Sequence, residues 1–152
     1  MYDSSRKKIY DWLYDLFYDV VTKNVYAMFK PLELTSSDTK NGFLVIRIGD
    51  FIDASEFQRN AFGECRVFVT AYVPLLSRGR LDYTKYDTYE QAIDNVIQGV
   101  IDTGIGYYTI IEDSILSMDD IDDENATNQF ATYTKSFVVT MDGDNQIANN
   151  SN

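Results

Sequence analysis

Histidine is absent from these 152 residues. With it go the commonest general base, the Ser–His and Cys–His nucleophile pairs, and the commonest ligand of transition metals. Cysteine occurs once, as Cys65, so neither a disulfide framework nor a thiolate metal cluster is available. Only two prolines, Pro31 and Pro74, punctuate the chain. The eight glycines include no phosphate-binding loop. Gly104-x-Gly106 follows a helical pattern and precedes a strand-like one, the reverse of a dinucleotide site. Basic residues are scarce: 13 Lys and Arg stand against 24 Asp and Glu, a net charge of −11. Wrapping nucleic acid by phosphate neutralisation needs clustered Lys and Arg, which this chain lacks. The simplest consequence of such a charge is solubility. No apolar run approaches the roughly 20 residues of a membrane helix. Arg6, Lys7 and Lys8 lead into a segment broken by Asp11, Asp15 and Asp19, unlike the core of a signal peptide. The expectation is a soluble protein made in a reducing cytoplasm, with no membrane partner, no cofactor and no metal.

Apolar and aromatic residues are plentiful: 45% and 14% of the chain, with 12 Tyr and 9 Phe. That composition belongs to a folded domain. Tyr joins a large apolar ring to a polar tip, which suits half-buried surfaces and interfaces. The length fits one domain, expected over residues 1–142, with an Asn-rich, disordered tail at 143–152.

Two long strands form the centre of the pattern. Residues 43–52 place Phe43, Val45 and Arg47 on one face and Leu44, Ile46 and Ile48 on the other. Residues 63–73 alternate more cleanly, with Cys65, Val67, Val69, Ala71 and Val73 opposite Arg66, Phe68, Thr70 and Tyr72. Period-two spacing with β-branched and aromatic residues is a strand signal. The segment between them, 53–62, is long for a tight turn and is read as a projecting arm carrying Phe57 and Phe62. A hairpin alone is marginal in water and needs further strands and helices over one face.

Residues 4–28 read as an amphipathic helix, with Ser4 or Ser5 as N-cap and a stripe of Ile9, Leu13, Leu16 and Val20 widened by Trp12 and Phe17. Tyr10, Tyr14 and Tyr18 lie four apart, as do Asp11, Asp15 and Asp19. The acidic row is either a solvated face or one that lines a wet passage or meets a basic partner. Pro31 ends this helix, and 33–42 reads as a polar, turn-rich connection in which Leu32 and Leu34 form a short strand or pack beneath. After Pro74, the segment Ser77-Arg78-Gly79-Arg80 is an exposed crossing or a charged contact with an acidic neighbour. A second helix spans 86–102, capped by Asp87 or by Thr88 in a box with Gln91. Its stripe is Ala92, Ile93, Val96, Ile97, Val100 and Ile101, and Gly104 stops it.

A third strand is expected over 107–118 and a fourth over 129–141, the latter with Ala131, Tyr133, Phe137, Val139 and Met141 on one face and a wet face of Thr132, Thr134, Ser136 and Thr140. Between them, the acidic run from Asp119 to Asn125 has alternating oxygen ligands but lacks the sixth-position Gly and closing Glu of an EF-hand. It reads as a solvated loop, and Asp142-Gly143-Asp144 as a turn. The carboxylates lie on helix faces and loops without converging, so no enzyme is expected. Consecutive antiparallel pairing gives an α+β fold: a four-stranded antiparallel sheet with a long hairpin and two main helices on one face.

An N-terminal helix, a hairpin of the type FLVIRIGDFI and ECRVFVTAYVP, a Gly-containing connection LLSRGRLD, the helix YEQAIDNVIQGVID and two closing strands follow in that order. In this order and texture the chain resembles the tail-terminator and neck-ring (head–tail connector) proteins of tailed bacteriophages, including crAss-like phages, over residues 1–142. The resemblance implies a virion protein without catalytic residues. Copies would form a homo-oligomeric ring docked to portal, connector or tail proteins, and double-stranded DNA would pass through without sequence-specific binding. An acidic lumen would repel phosphate; Asp11, Asp15 and Asp19 are its candidates. Trp12, Tyr14, Tyr18, Phe57, Phe62, Arg78 and Arg80 are the candidate subunit contacts. The alternative is a small intracellular α+β module that binds proteins through its Tyr-rich surface.

Overall fold

The computed structural model describes residues 5–53, 63–104, 106–108, 117–122 and 127–141. Helix α1, Ser5–Phe17, buries Ile9, Leu13 and Phe17, four residues apart, and leaves Leu16 exposed, as is Val20 beyond its end. It does not continue to residue 28. Tyr18 N–H closes on the Tyr14 carbonyl at 2.7 Å, and Asp19 then turns the chain with φ at 60°. Carboxylates at a helix C-terminus oppose its dipole. Beyond them Val20, Val21, Thr22, Val25 and Tyr26 are β-branched or aromatic, residues that pack better on a sheet. Strand β1, Val25–Ala27, takes that option. It lies parallel to β2, Phe43–Asp53, with Val25 opposite Leu44.

Parallel neighbours need a crossover of about a dozen residues or more. Residues 28–42 supply it and contain a short helix, α2, Ser36–Asn41, where the sequence pattern predicted a bare connection. The signal for it is Thr35-Ser36-Ser37-Asp38. The Thr35 hydroxyl accepts from Asp38 N–H at 3.1 Å, and the Asp38 carboxylate accepts from Thr35 N–H at 3.0 Å, a reciprocal capping box. Leu32 is not in a strand and is 95% exposed; Leu34 packs part-buried beside Phe43, Val45 and Phe130.

Strand β3, Gly63–Pro74, pairs antiparallel with β2, from Phe43 opposite Tyr72 to Asp53 opposite Gly63, with an irregularity between Ile48 and Phe51. The alternation assigns the faces as expected. Leu44, Ile46, Ile48, Cys65, Val67, Val69, Ala71 and Val73 all join the main core. A 3-10 turn at Ser77–Gly79 leads to α3, Tyr83–Asp102. The helix starts a turn earlier than the Asp87 or Thr88 cap predicts. Asp82 is the N-cap, accepting from Lys85 N–H at 3.1 Å, while the Thr88 hydroxyl donates to the Thr84 carbonyl inside the helix. Tyr86 and Tyr89, absent from the expected stripe, are buried with Ile93, Ile97 and Val100. Gly104, with φ at 83°, follows the last turn.

Strands β4, Gly106–Tyr108, and β5, Ser117–Asp122, both pair with β6, Thr127–Met141. The other edge of β6 pairs with β3 throughout, from Gly63 opposite Met141 to Pro74 opposite Phe130. Two expectations are corrected here. The last strand is central rather than an edge, giving the order β1-β2-β3-β6-β4 with β5 also on β6; and the sheet, of six strands among the described residues, is mixed, because β1 joins in parallel. Strands β3 and β4 are both antiparallel to β6, so α3 connects two parallel strands across an inserted one, a split β-α-β unit. Strand β6 is apolar on both sides, with Tyr133, Phe137 and Val139 on one and Phe130 and Val138 on the other, and Thr132 and Ser136 are buried rather than wet. Double-sided burial is what a central strand requires. Asp119 to Asp122 belong to a strand, not a loop, since backbone pairing with β6 is indifferent to side-chain charge; the rest of that run, 123–125, lies outside the described residues.

Both long helices cover the same face. Helix α1 packs on β2, α3 on β3 and β6, and the two helices touch. Among the described residues no helix is long and apolar enough to cross a membrane.

Candidate interaction surfaces

On α1 the acidic row of the sequence is an exposed row in space. Asp11 and Asp15 face solvent, and Asp19 is exposed just past the helix end. Asp11 is paired with Lys7, whose Nζ lies 2.7 Å from its carboxylate. Beside them Tyr10, Tyr14 and Tyr18 form a ladder of rings, with centroids 5.9 and 5.3 Å apart. Burial, followed by Tyr14 and Asp11, holds the Tyr10 hydroxyl above its ordinary pKa. Of the aromatic contact candidates, Trp12 and Tyr14 are part-buried against the main core and Tyr18 is exposed. Phe57 and Phe62 lie outside the described residues, as do the rest of 54–62, the tail 143–152 and the Asp142-Gly143-Asp144 turn.

The Arg78 and Arg80 segment is built as a closed turn. Leu76 N–H donates to the Arg80 carbonyl at 2.8 Å, and Gly79 N–H donates to the Leu76 carbonyl at 3.1 Å. Arg80 is tied down from below, its Nε donating to the Ser77 carbonyl at 3.2 Å and Nη2 reaching the Ser77 hydroxyl at 3.5 Å. Arg78 sits at the tip with φ at 64°, a left-handed conformation uncommon outside glycine. Both arginines are exposed. A shallow groove of about 230 Å³ runs from Arg78 and Gly79 past Leu75 and Leu76 to Thr39, Asn128 and Gln129. A second, of about 380 Å³, lies where Val21 at the end of α1 meets Asp82, Lys85 and Tyr89 at the start of α3.

Four further surface residues escaped the sequence reading. Phe29 is 79% exposed and follows β1, as does Leu32, while Tyr83 is 71% exposed and stands with exposed Leu76 beside the Arg78 turn. Composition marks such residues for the core. Only the chain path shows otherwise: Phe29 follows Met28, which has φ at 67°, and Tyr83 is the first residue of α3, pointing away from the stripe that begins at Tyr86.

The interior polar contacts are structural. The Tyr26 hydroxyl reaches both Asp38 carboxylate oxygens at 2.8 Å; burial first, then that hydrogen bond, pushes its pKa up to about 12. Tyr89 donates to the Asn41 carbonyl at 2.6 Å, and burial pushes it up to about 12. Tyr133 donates to Asp94 at 2.6 Å. These three tyrosines fasten α2 and α3 to the sheet. Among the described residues no three His, Cys, Asp or Glu side chains gather so as to hold a metal ion. No family model matches the chain, and no curated protein matches it.

Proposed function

We propose that this chain is a structural subunit of the neck or tail of a tailed bacteriophage. Copies join head to tail in a closed ring of the tail-terminator or connector kind, docked between portal, connector or tail proteins. The observation that carries the reading is the placement of strongly exposed apolar side chains in two different parts of the fold. Phe29 and Leu32 follow the edge strand β1, while Leu76 and Tyr83 flank the turn that leaves β3. Head-to-tail contacts require two unlike surfaces on each copy, whereas a two-fold dimer needs only one. Such residues on a monomer would be a liability; between copies they become contact area.

The charge supports the same role. At −11 per copy, a ring presents a field that repels phosphate, so a double-stranded genome slides through the bore without adhering. The work is done by shape and repulsion in the assembled virion, with no bond made or broken. Sedimentation velocity and negative-stain imaging of the full chain, alone and mixed with portal and tail proteins of tailed phages, test this. Ring-shaped particles are expected, and a chain that stays monomeric in both conditions overturns the proposal.

The Tyr10, Tyr14 and Tyr18 ladder favours a second reading, a protein-binding module that recognises its partner through that face. It predicts a monomer or dimer in the same experiments.

A further inference from the structure

The sheet face turned away from α1 and α3 holds two arginines that no carboxylate matches. Arg47 on β2 stands opposite Phe68 on β3, and Arg66 lies two residues from Phe68 along β3, on the same face. The Arg47 guanidinium sits 5.2 Å from the centre of the Phe68 ring. A Cβ built on Gly49 would fall 3.6 Å from Arg66 Cβ and 3.8 Å from Phe68 Cε2. Arg47, Phe68, Arg66 and Gly49 thus form a square of neighbouring positions, with the arginines on one diagonal and no side chain at the Gly49 corner. Among the described residues neither guanidinium has a carboxylate within ion-pair range. Arg66 Nε is also buried without a hydrogen-bond acceptor. In a chain with 24 Asp and Glu, two adjacent cations left so call for a ligand that the chain does not itself supply. We propose that Arg47 and Arg66 bind one oxyanion, a phosphate or a carboxylate, between their guanidinium groups and over Gly49.

Spacing and chemistry agree on this ligand. Diagonal neighbours on one face of an antiparallel pair lie about 7–8 Å apart, close enough for two long side chains to converge on one group. Each guanidinium is a planar fork of donors that matches two oxygens of a carboxylate or phosphate. Arg66 as a whole is only part-buried, so the outer end of its fork reaches solvent while Nε is shielded at the root. A donor kept from water with no acceptor is costly, and rotation of the fork onto a bound oxyanion relieves that cost. The anion also offsets the repulsion between two like charges.

Phe68 narrows the class of ligand further. Arg47 already covers the ring, which makes the ring a support for the cation and not a platform for stacking a base. That contact orders Arg47 before any ligand arrives, so less freedom is lost on binding. Both arginines belong to paired strands, which hold the two stems in fixed register. The site is complete on one copy and stands independently of the ring reading.

The test is thermal melting of the full chain in sodium phosphate and in sodium succinate, each against sodium chloride of equal ionic strength. Binding to the folded state should raise the melting temperature by about 3–5 °C at roughly ten times the dissociation constant. Arg47→Met should weaken binding roughly ten- to hundredfold, the loss of one charge-assisted fork. Arg66→Met should remove most of the response and, in chloride alone, melt no lower than the parent, because the unpartnered donor is gone. Arg47 is exposed, so its variant carries the test even if Arg66→Met fails to fold. Sedimentation velocity separates the two sources of such an oxyanion. A free ion leaves the association state of the parent unchanged. An acidic side chain of a second copy predicts self-association in chloride that added phosphate and either substitution disperse. Equal melting of the parent in all three salts, with no association that either substitution reduces, overturns the site. So does a phosphate response that survives in both variants.

Discussion

On the face under α1 and α3, Leu44, Ile46, Ile48, Val67, Val69, Ala71, Phe137 and Val139 meet Ile9, Leu13, Phe17, Ile93 and Ile97 in one continuous cluster. The opposite face is organised differently. There Phe43, Val45 and Phe130 form a small buried cluster, with Phe43 stacked on Tyr72 at 4.5 Å between centroids and edge-on to Tyr26 and Phe130. Further along, Thr70 and Thr134 share a hydrogen bond at 2.9 Å, and Arg47 lies over the Phe68 ring at 5.2 Å. The helix face is held by aliphatic area, which is non-directional and tolerates volume-conserving exchange. The opposite face relies on ring geometry and paired polar groups, which tolerate little.

The two faces meet at Gly42, so the sharpest way to break both at once is there. Gly42 joins α2 to β2 with φ at 87° and ψ at −179°, a region only glycine occupies without strain. A Cβ would lie 2.4 Å from the Tyr72 carbonyl oxygen and 2.8 Å from the Tyr89 hydroxyl, and its own carbonyl accepts from Thr22 and Asn24. Gly42→Ala should therefore cost about 4 kcal/mol or more, in the exceptional range for one substitution. Urea denaturation measures it; a loss under 1 kcal/mol would mean the junction is loose.

Next in size comes a cavity on the helix face. Ile97 is fully buried, and Ile97→Ala should lose about 2–5 kcal/mol against about 0.5–1.5 for Ile97→Val. Equal losses from the two would contradict close packing beneath α3.

These contrasts also explain which parts of the fold could be read in advance. Alternation along β2 and β3 assigned every buried residue to its face, because one side of each strand is dominated by aliphatic residues that have no other place to go. The central position of β6 was not legible. Strand partners distant in sequence leave no local mark, and Thr132 and Ser136 looked like a solvent face although they are buried. Strand β1 left a signal that the reading of 4–28 as one helix overrode, the β-branched run after Asp19, and helix α2 left the Thr35–Asp38 capping box inside a stretch read as a bare connection. At the surface, charge was legible and apolar exposure was not. Arg78, Arg80 and the α1 carboxylates stand in solvent as their chemistry demands, whereas Phe29, Leu32 and Tyr83 are exposed by chain path alone.

A smaller effect separates directional from non-directional packing. Thr70 is buried and its hydroxyl pairs with Thr134 across β3 and β6. Thr134→Val strands that hydroxyl and should cost about 1 kcal/mol or somewhat more, while Thr70→Val with Thr134→Val removes both partners and should be nearly neutral. Additive losses in this double-mutant cycle would show that the pair does not interact.

The smallest effect at neutral pH grows in alkali, and it compares the two tyrosines that hold α2 from either side. Tyr26 reaches Asp38 within the helix and Tyr89 reaches Asn41 at its end; each is pushed from 10.0 up to about 12. Folding thus favours the protonated hydroxyl. Below pH 10 both states keep their protons, and the contribution is fully present. Between pH 10 and about 12 the unfolded chain loses protons that the folded chain retains, so stability falls as pH rises. Tyr10 and Tyr86, also raised by burial, add to the same slope. Tyr26→Phe with Tyr89→Phe should flatten the fall in urea midpoint over that interval without abolishing it. An unchanged slope would mean that neither hydroxyl is held protonated by its contacts to α2.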